Sequence, residues 1–333
     1  MTSDLESIVA AITTRQRFVL SSHARPDGDS IGSELALAYA LRALGKDVEV
    51  VNHDAVPAFL QSFPGIDTIT VAPHVDGSFD AAIILECGSL ARTEVSGLDA
   101  YYVINIDHHD GNAMYGDLNW FDPAAAACGE MVYEVITALN VPLTAPIATH
   151  LYVAILTDTG AFHHSSISEQ TFDICRQAVA AGVSAPDIAA RVYQQGTVGR
   201  LRLTGTLLDK MDVVGDGHVA VLEVDRQTLE HTGCPPDDLE GLVNMPLAAR
   251  DIQAVAMFKT LDDHVRVSLR SKDNIDVRAV ASAYGGGGHY NAAGCTIEPG
   301  DDAARADVIG RVVEAVSTEI DAPTAGPNHL RDA

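Results

Sequence analysis

The feature that most constrains this chain is the alternation of apolar β-type runs with helical patterns through its first half. FVLSS (18–22), DVEVVN (47–52), AAIILE (81–86) and YYVINID (101–107) read as strands. Their largely continuous apolar character predicts strands buried on both faces, as in a parallel sheet. SELALAYALRALG (33–45), CGEMVYEVITALN (128–140) and APIATHLYVAILTDTG (145–160) read as helices, the first closed by Gly45. Strand-helix alternation of this kind predicts a three-layer α/β domain.

At about 150 residues per domain, a chain of 333 residues has room for two. Residues 168–211 read as helical with breaks near Gly182 and Gly196, and form the candidate connector. Beyond them HVAVLEVD (218–225), IQAVAMFKTL (252–261) and HVRVSLRS (264–271) read as strands. DVRAVASAYG (276–285) and 302–320 read as helices. A second, smaller α/β domain is expected from about 200 to 322. The tail PTAGPNHLRDA (323–333) reads as disordered.

Charge narrows the partners. Lys plus Arg number 21 against 46 Asp plus Glu, a formal net charge of −25, which argues against a general nucleic-acid coat or an anionic-membrane binder. A small anionic substrate held by metal ions or by a local basic pocket is compatible with it. The charge is also uneven: residues 1–150 hold 6 basic and 20 acidic side chains, whereas 250–278 hold 6 and 5, a candidate anion-binding face. No apolar run approaches the ~20 residues of a membrane span. MTSDLESIVA lacks the basic and apolar regions of a signal peptide. The five cysteines are scattered without a CxxC pair, so neither a disulfide framework nor a cysteine zinc site is expected, and the compartment reads as a reducing cytoplasm.

The chemistry concentrates at the ends of the apolar runs. In SSHARPDGDSIGS (21–33), His23, Asp27 and Asp29 follow a strand and precede a helix, where α/β sheets build their sites. Gly28 and Gly32 permit tight turning and close approach, and Ser30 or Ser33 is the expected helix cap. In INIDHHDG (104–111), Asp107, His108 and His109 end another strand, a costly place for three ionisable groups unless they bind something. Glu86 ends a third apolar run. Asp158 sits near the carboxyl end of an apolar helix, where a carboxylate opposes the helix dipole and a cation would remove the conflict. His23, Asp27, Asp29, Glu86, His108 and Asp158 thus come from four strand or helix ends. That ligand count suits two divalent metals, and the mixed imidazole and carboxylate set suits Mn²⁺. Two metals about 3.5–4 Å apart are a common solution for phosphoester hydrolysis.

In the second half, YGGGGHYNAAG (284–294) lets backbone N–H groups wrap an anion, without the Lys-Ser/Thr of a nucleotide P-loop. Arg270, in SLRSK (268–272), can fork onto a phosphate. Nucleophilic catalysis is poorly supported: there is no GxSxG elbow, and Cys87 and Cys295 lack a base partner. His163 and His164 read as surface residues.

HARPDGDSIGS, DHH, TDTG and GGGGH, in this order and spacing, resemble the DHH/DHHA1 phosphoesterases of the oligoribonuclease and pAp-phosphatase (nanoRNase) type, over roughly residues 5–320. The resemblance implies a parallel-sheet DHH catalytic domain (1–185), a helical connector (186–210) and a smaller α/β DHHA1 substrate-binding domain (211–322), with the active site in the interdomain cleft. It implies two divalent ions, Mn²⁺ first and Mg²⁺ or Co²⁺ as alternatives. His23 and Asp27 would hold one, Asp29, His108 and Asp158 the other, and Glu86 would bridge them. His109 would face the substrate phosphate or the leaving oxygen, supported by Asp107. Arg270, Ser271, Gly286, Gly287, Gly288 and His289 would bind the nucleotide's phosphate and sugar edge. The implied substrates are short oligoribonucleotides such as pGpG, cut to mononucleotides, and 3′-phosphoadenosine 5′-phosphate, dephosphorylated to AMP. The implied setting is cytoplasmic, without membrane or long nucleic acid, and compatible with a homodimer. The family usually places aspartate at the bridging position, and Glu86 is one methylene longer. His163 stands where a more strongly basic residue is expected. The alternatives are a cyclic-dinucleotide phosphodiesterase and a catalytically silent nucleotide-binding module altered at Glu86.

Overall fold

A computed structural model describes residues 3–109, 111–163, 167–239, 241–260 and 263–321. His164 and the tail 323–333 lie outside the described residues. The chain divides into two compact units, Met1–Gln195 and Gly196–Ala333.

The first unit runs α1 (Ser3–Thr14), β1 (Arg17–Ser21), α2 (Gly28–Ala43), β2 (Asp47–Asn52), β3 (Ile69–Val71), β4 (Ala81–Leu85), β5 (Tyr102–Asp107), β6 (Leu118–Phe121), α3 (Cys128–Ala138), α4 (Ala145–Asp158), α5 (Glu169–Ala180) and α6 (Ala185–Tyr193). Its six strands form one parallel sheet in the order β3-β2-β1-β4-β5-β6. The order reverses between β1 and β4, and a crevice outside the carboxyl ends of the strands at such a point is where open α/β sheets bind ligands. Alternate strand residues face opposite ways. Phe18, Leu20, Ile83 and Ile104 pack with apolar residues of α1, α2, α3 and α4. Val19, Ala82, Ile84 and Val103 pack on the other face.

That second face corrects the three-layer expectation. Among the described residues it is covered by side chains from loops and short 3-10 turns, including Phe79, Leu90, Val95 and Leu98, and not by α-helices. The nine residues joining β3 to β4 are too few to fold a helix and return, and the segment joining β4 to β5 forms the two 3-10 turns instead. The start of α2 is a further correction. Neither Ser30 nor Ser33 caps it: Asp27, in an extended conformation, accepts from the Ser30 amide at 3.0 Å, so the helix begins at Gly28 and both serines lie inside it. Gly28 and Gly32 therefore serve close approach and not turning. A Cβ on Gly28 would stand 2.3 Å from Thr157 Oγ1, and one on Gly32 2.6 Å from the His150 carbonyl, which lets α2 lie tightly on α4.

The second unit runs α7 (Val198–Asp209), β7 (Asp212–Val214), β8 (Val219–Asp225), α8 (Arg226–Thr232), β9 (Ala254–Thr260), β10 (Val265–Ser271), α9 (Val277–Ser282), β11 (Gly287–His289), β12 (Ala292–Ile297) and α10 (Asp302–Asp321). Its sheet, ordered β11-β12-β10-β9-β8-β7, is antiparallel except between β8 and β9. The glycine run is built into this sheet: Gly287 to His289 pair with Gly294 to Ala292. A Cβ on Gly286 would stand 2.2 Å from the Gly294 carbonyl, and one on Gly288 2.5 Å from the Ala292 carbonyl, so these glycines let two strands close on each other. All five cysteines are free and buried. No helix among the described residues is long and apolar enough to cross a membrane.

Candidate active site

The candidate site gathers at the carboxyl ends of β1, β4 and β5 and at the end of α4. Asp29, in the first turn of α2, is 1% exposed. Its Oδ2 accepts from the Cys128 amide at 2.6 Å and its Oδ1 from the Gly129 amide at 3.0 Å, with the Ser33 hydroxyl donating to Oδ1 at 2.8 Å. The amino end of α3 thus holds this carboxylate with its free N–H groups. Gly129 makes the approach possible, since a Cβ there would lie 2.6 Å from the Ala154 methyl.

Glu86 follows β4 with φ 53°, a left-handed conformation that costs a non-glycine residue about 1–3 kcal/mol. It is fully buried, and its Oε2 has no hydrogen-bond partner. Its Oε1 lies 3.3 Å from His108 Nε2 and 3.4 Å from His109 Nδ1. The longer glutamate therefore does reach the group. His108 Nε2 is also 3.5 Å from Asp158 Oδ2 and 3.9 Å from Asp29 Oδ2. Its Nδ1 lies 2.9 Å from the Ala125 carbonyl, which can only accept, so Nδ1 carries a hydrogen and Nε2 is the atom turned to the carboxylates.

Asp29, Glu86, His108 and Asp158 each place one ligand atom within 4.8 Å of the others, a group able to hold a metal ion; Glu86, His108 and His109 form a second such group. The electrostatics point the same way. Burial, then the Asp158 charge, pushes Asp29 up to about 7. Burial raises Asp158 to about 6, and burial with the Asp29 charge lifts Glu86 well above the usual carboxylate range. Burial opposes a charge on His108, but the Glu86 bond and the three carboxylate charges outweigh it and raise the ring to about 11. Three acids crowded around one imidazole, with an orphaned buried oxygen, fit a divalent cation.

His23 and Asp27 do not join these groups. They pair with each other, Nε2 to Oδ2 at 3.8 Å, and Ser30 Oγ lies 3.0 Å from His23 Nε2 and donates to Asp27 Oδ1 at 3.0 Å. Burial would raise Asp27, but the bonds from His23 and Ser30 prevail and hold it at about 2. His23 still borders the site, its ring edge-on to His109 with centroids 6.3 Å apart.

His109 is held from behind. Its Nδ1 donates to Asp107 Oδ1 at 2.9 Å, and Asp107 is fully buried. Asn112 Nδ2 donates to Asp107 Oδ2 at 2.6 Å and to Asn105 Oδ1 at 2.8 Å, and Asn105 in turn donates to the carbonyls of Ile84 and Cys87. Burial would raise Asp107, but the His109 and Asn112 bonds lower it. Sequence reasoning missed Asn105 and Asn112; the available signal was a polar residue inside the apolar run YYVINID. It also missed Glu34, fully buried, which accepts from Asn52 at 2.8 Å while Asn52 Oδ1 accepts from the Ser22 amide beside His23.

In the second unit, Arg270 and Ser271 end β10. Arg270 Nη1 donates to the Leu269 carbonyl at 2.9 Å, and the Ser271 hydroxyl is committed to the Ile275 carbonyl at 2.6 Å. Gly286 and Gly288 are closed in by β12, whereas Gly287 has open space where a Cβ would be. The His289 side chain lies outside what the structure describes. His163 is exposed.

Comparison with known proteins agrees with this architecture. The family model for the DHH family, N-terminal domain, matches residues 17–155, and that for the DHHA1 domain matches 216–322. The Thermus thermophilus protein named bifunctional oligoribonuclease and PAP phosphatase NrnA is 33% identical over 305 residues, 90% of this chain and 89% of that one. The Bacillus subtilis protein of the same name is 26% identical over 90% of this chain and 95% of that one. The crystal structure of an exopolyphosphatase-related protein from Bacteroides fragilis shares the fold, with a TM-score of 0.86 at 24% identity over 96% of this chain and 99% of that one. With a family model on each of its two sheets and a relative one-third identical over nine-tenths of its length, the chain belongs to the DHH/DHHA1 family of phosphoesterases.

Proposed function

We propose that this chain is a divalent-metal-dependent phosphohydrolase that releases mononucleotides from short oligoribonucleotides such as pGpG and removes the 3′-phosphate of 3′-phosphoadenosine 5′-phosphate. The observation that carries the reading is the buried group of Asp29, Glu86, His108 and Asp158, in a chain related over most of its length to proteins named for these two activities. Asp29, His108 and Asp158 would hold one ion, His23 and Asp27 a second, with Glu86 shared. Mn²⁺ is the ion that suits this mixture of imidazole and carboxylate. Bound divalent ions would supply charge neutralisation at the phosphate and activation of a water.

The remaining work falls to the chain's own residues. The amides of Cys128 and Gly129 keep Asp29 fixed as a ligand. Asp107 holds Nδ1 of His109 as the bonded nitrogen, so Nε2 is the atom that can pass a proton to the departing ribose oxygen. In the second unit, Arg270, Ser271, Gly286, Gly287, Gly288 and His289 hold the nucleotide, Arg270 by its charge and the open backbone at Gly287 by close approach.

A time course with 5′-labelled pGpG, and phosphate release from 3′-phosphoadenosine 5′-phosphate, each with Mn²⁺ and with chelator, tests the reading. Mn²⁺-dependent GMP and phosphate are expected. No turnover of either by folded, Mn²⁺-loaded protein refutes it.

A further inference from the structure

The first 150 residues carry 20 acidic and 6 basic side chains, so an unpaired cation there is unexpected. Four of the six are committed to the fold. Arg15 donates to the Ala11 carbonyl and lies over the Tyr102 ring, and Arg17 pairs with Asp47 at 3.1 Å. Arg42 donates to the Val48 carbonyl at 2.9 Å, and Lys46 to the carbonyls of Thr13 and Arg15. The other two, Arg25 and Arg92, are exposed, and their guanidinium groups have no hydrogen-bond or ion-pair partner among the described residues.

Both lie on segments that border the candidate site. Arg92 lies on the 3-10 turn Leu90–Thr93, a few residues past Glu86, and its carbonyl accepts from the Ala24 amide at 2.7 Å. That bond stitches the turn to the loop that carries His23 and Arg25. Arg92 Nη1 is 3.9 Å from where a Cβ on Gly88 would stand, a point 3.7 Å from Asp107 Oδ2. Its charge bears on His23 and Cys87. Across Gly88, Arg92 thus stands on the side where Asp107 supports His109. Arg25 has φ 57°, and its amide is tied to Asp54 Oδ2 at 2.7 Å, which fixes the loop.

The two substrates of the proposed function share one arrangement. The phosphate to be attacked sits on the 3′ oxygen of a nucleoside whose 5′ oxygen bears a second, unreactive phosphate. The carboxylate-rich site repels that second charge, and an unpaired guanidinium fork suits it. We propose that Arg92, with Arg25 on the adjoining loop, receives the unreactive 5′-phosphate and makes the chain selective for nucleotides phosphorylated on both sides of one ribose.

The proposal rests on the function above, and its test separates the two. Steady-state kinetics of the Mn²⁺-loaded full chain are compared on pGpG and on GpG, which lacks the 5′-phosphate, for wild type, Arg92→Gln, Arg92→Lys and Arg25→Gln. Wild type is expected to favour pGpG in kcat/KM by about tenfold or more. Arg92→Gln should remove most of that preference, chiefly through KM, Arg25→Gln should reduce it, and Arg92→Lys should retain part of it. An unchanged preference in Arg92→Gln, or equal losses on both substrates, overturns the proposal. So does a wild type that cleaves both alike, while leaving the proposed function intact. A wild type that cleaves neither overturns the function and this inference with it.

Discussion

Raising the pH of the metal-free protein from about 5 to about 8 should destabilise it, and Asp29 sets the least size of the effect. Its carboxyl stands at about 7 in the fold against an ordinary 3.8. The folded chain therefore keeps a proton that the unfolded chain gives up. Its contribution is fully present below about pH 4, is lost as pH rises through about 7, and is absent above. Between pH 5 and 8 the contribution falls across about two pH units, at about 1.4 kcal/mol each, which is on the order of 3 kcal/mol. At roughly 2 °C per kcal/mol for a chain of this size, Tm should fall by about 6 °C from Asp29 alone. Asp158 and His108 act in the same sense, because both are raised in the fold. Mn²⁺ would take the place of the proton, so the fall should shrink with metal, and stabilisation by metal should grow with pH. Thermal melts in chelator and in saturating Mn²⁺ across this range measure it, with Asp29→Asn as the control in which the slope becomes shallower. A flat Tm in chelator, or an equal fall with and without Mn²⁺, would refute the reasoning.

Asn112→Ala removes the donor that fixes Asp107 behind His109, and should lower kcat by about ten- to a hundredfold with Mn²⁺ affinity nearly unchanged. Metal titration beside steady-state kinetics checks it, and a parallel loss of metal would contradict it. Gly28→Ala drives a methyl to 2.3 Å from Thr157 Oγ1 and should cost about 1–3 kcal/mol in denaturant unfolding, partly recovered with Thr157→Ala. Arg270→Ala should raise KM while leaving Mn²⁺ affinity as it was; loss of metal binding instead would place Arg270 in the wrong role.

How far the sequence announces this site depends on whether the cause is local. His23, Asp29, Glu86 and Asp107 stand out because each interrupts or ends an apolar run, and a charge beside a buried strand needs a reason nearby. The donors that hold Asp29 come from backbone amides about a hundred residues away, at Cys128 and Gly129, and a backbone amide leaves no mark in a sequence. Asn112 looks like any loop residue until Asp107 and Asn105 are seen to share its two hydrogens. His23 and Asp27 are engaged with each other and with Ser30, a pairing that spacing does not encode. The one-sided helical cover was hidden because residues such as Leu90 and Leu98 sit in 3-10 turns too short to show a period. The glycine run reads as a loop by composition, yet becomes β11 because Gly286 and Gly288 must admit the backbone of β12.

The most direct test of the central claim is bound Mn²⁺ per chain, measured by elemental analysis on the same samples assayed for pGpG hydrolysis, in wild type, Asp29→Asn and His108→Ala. The account predicts bound Mn²⁺ and turnover in wild type, and loss of both together in the two variants. Full turnover by chelator-stripped wild type, or by either variant without metal, would contradict it.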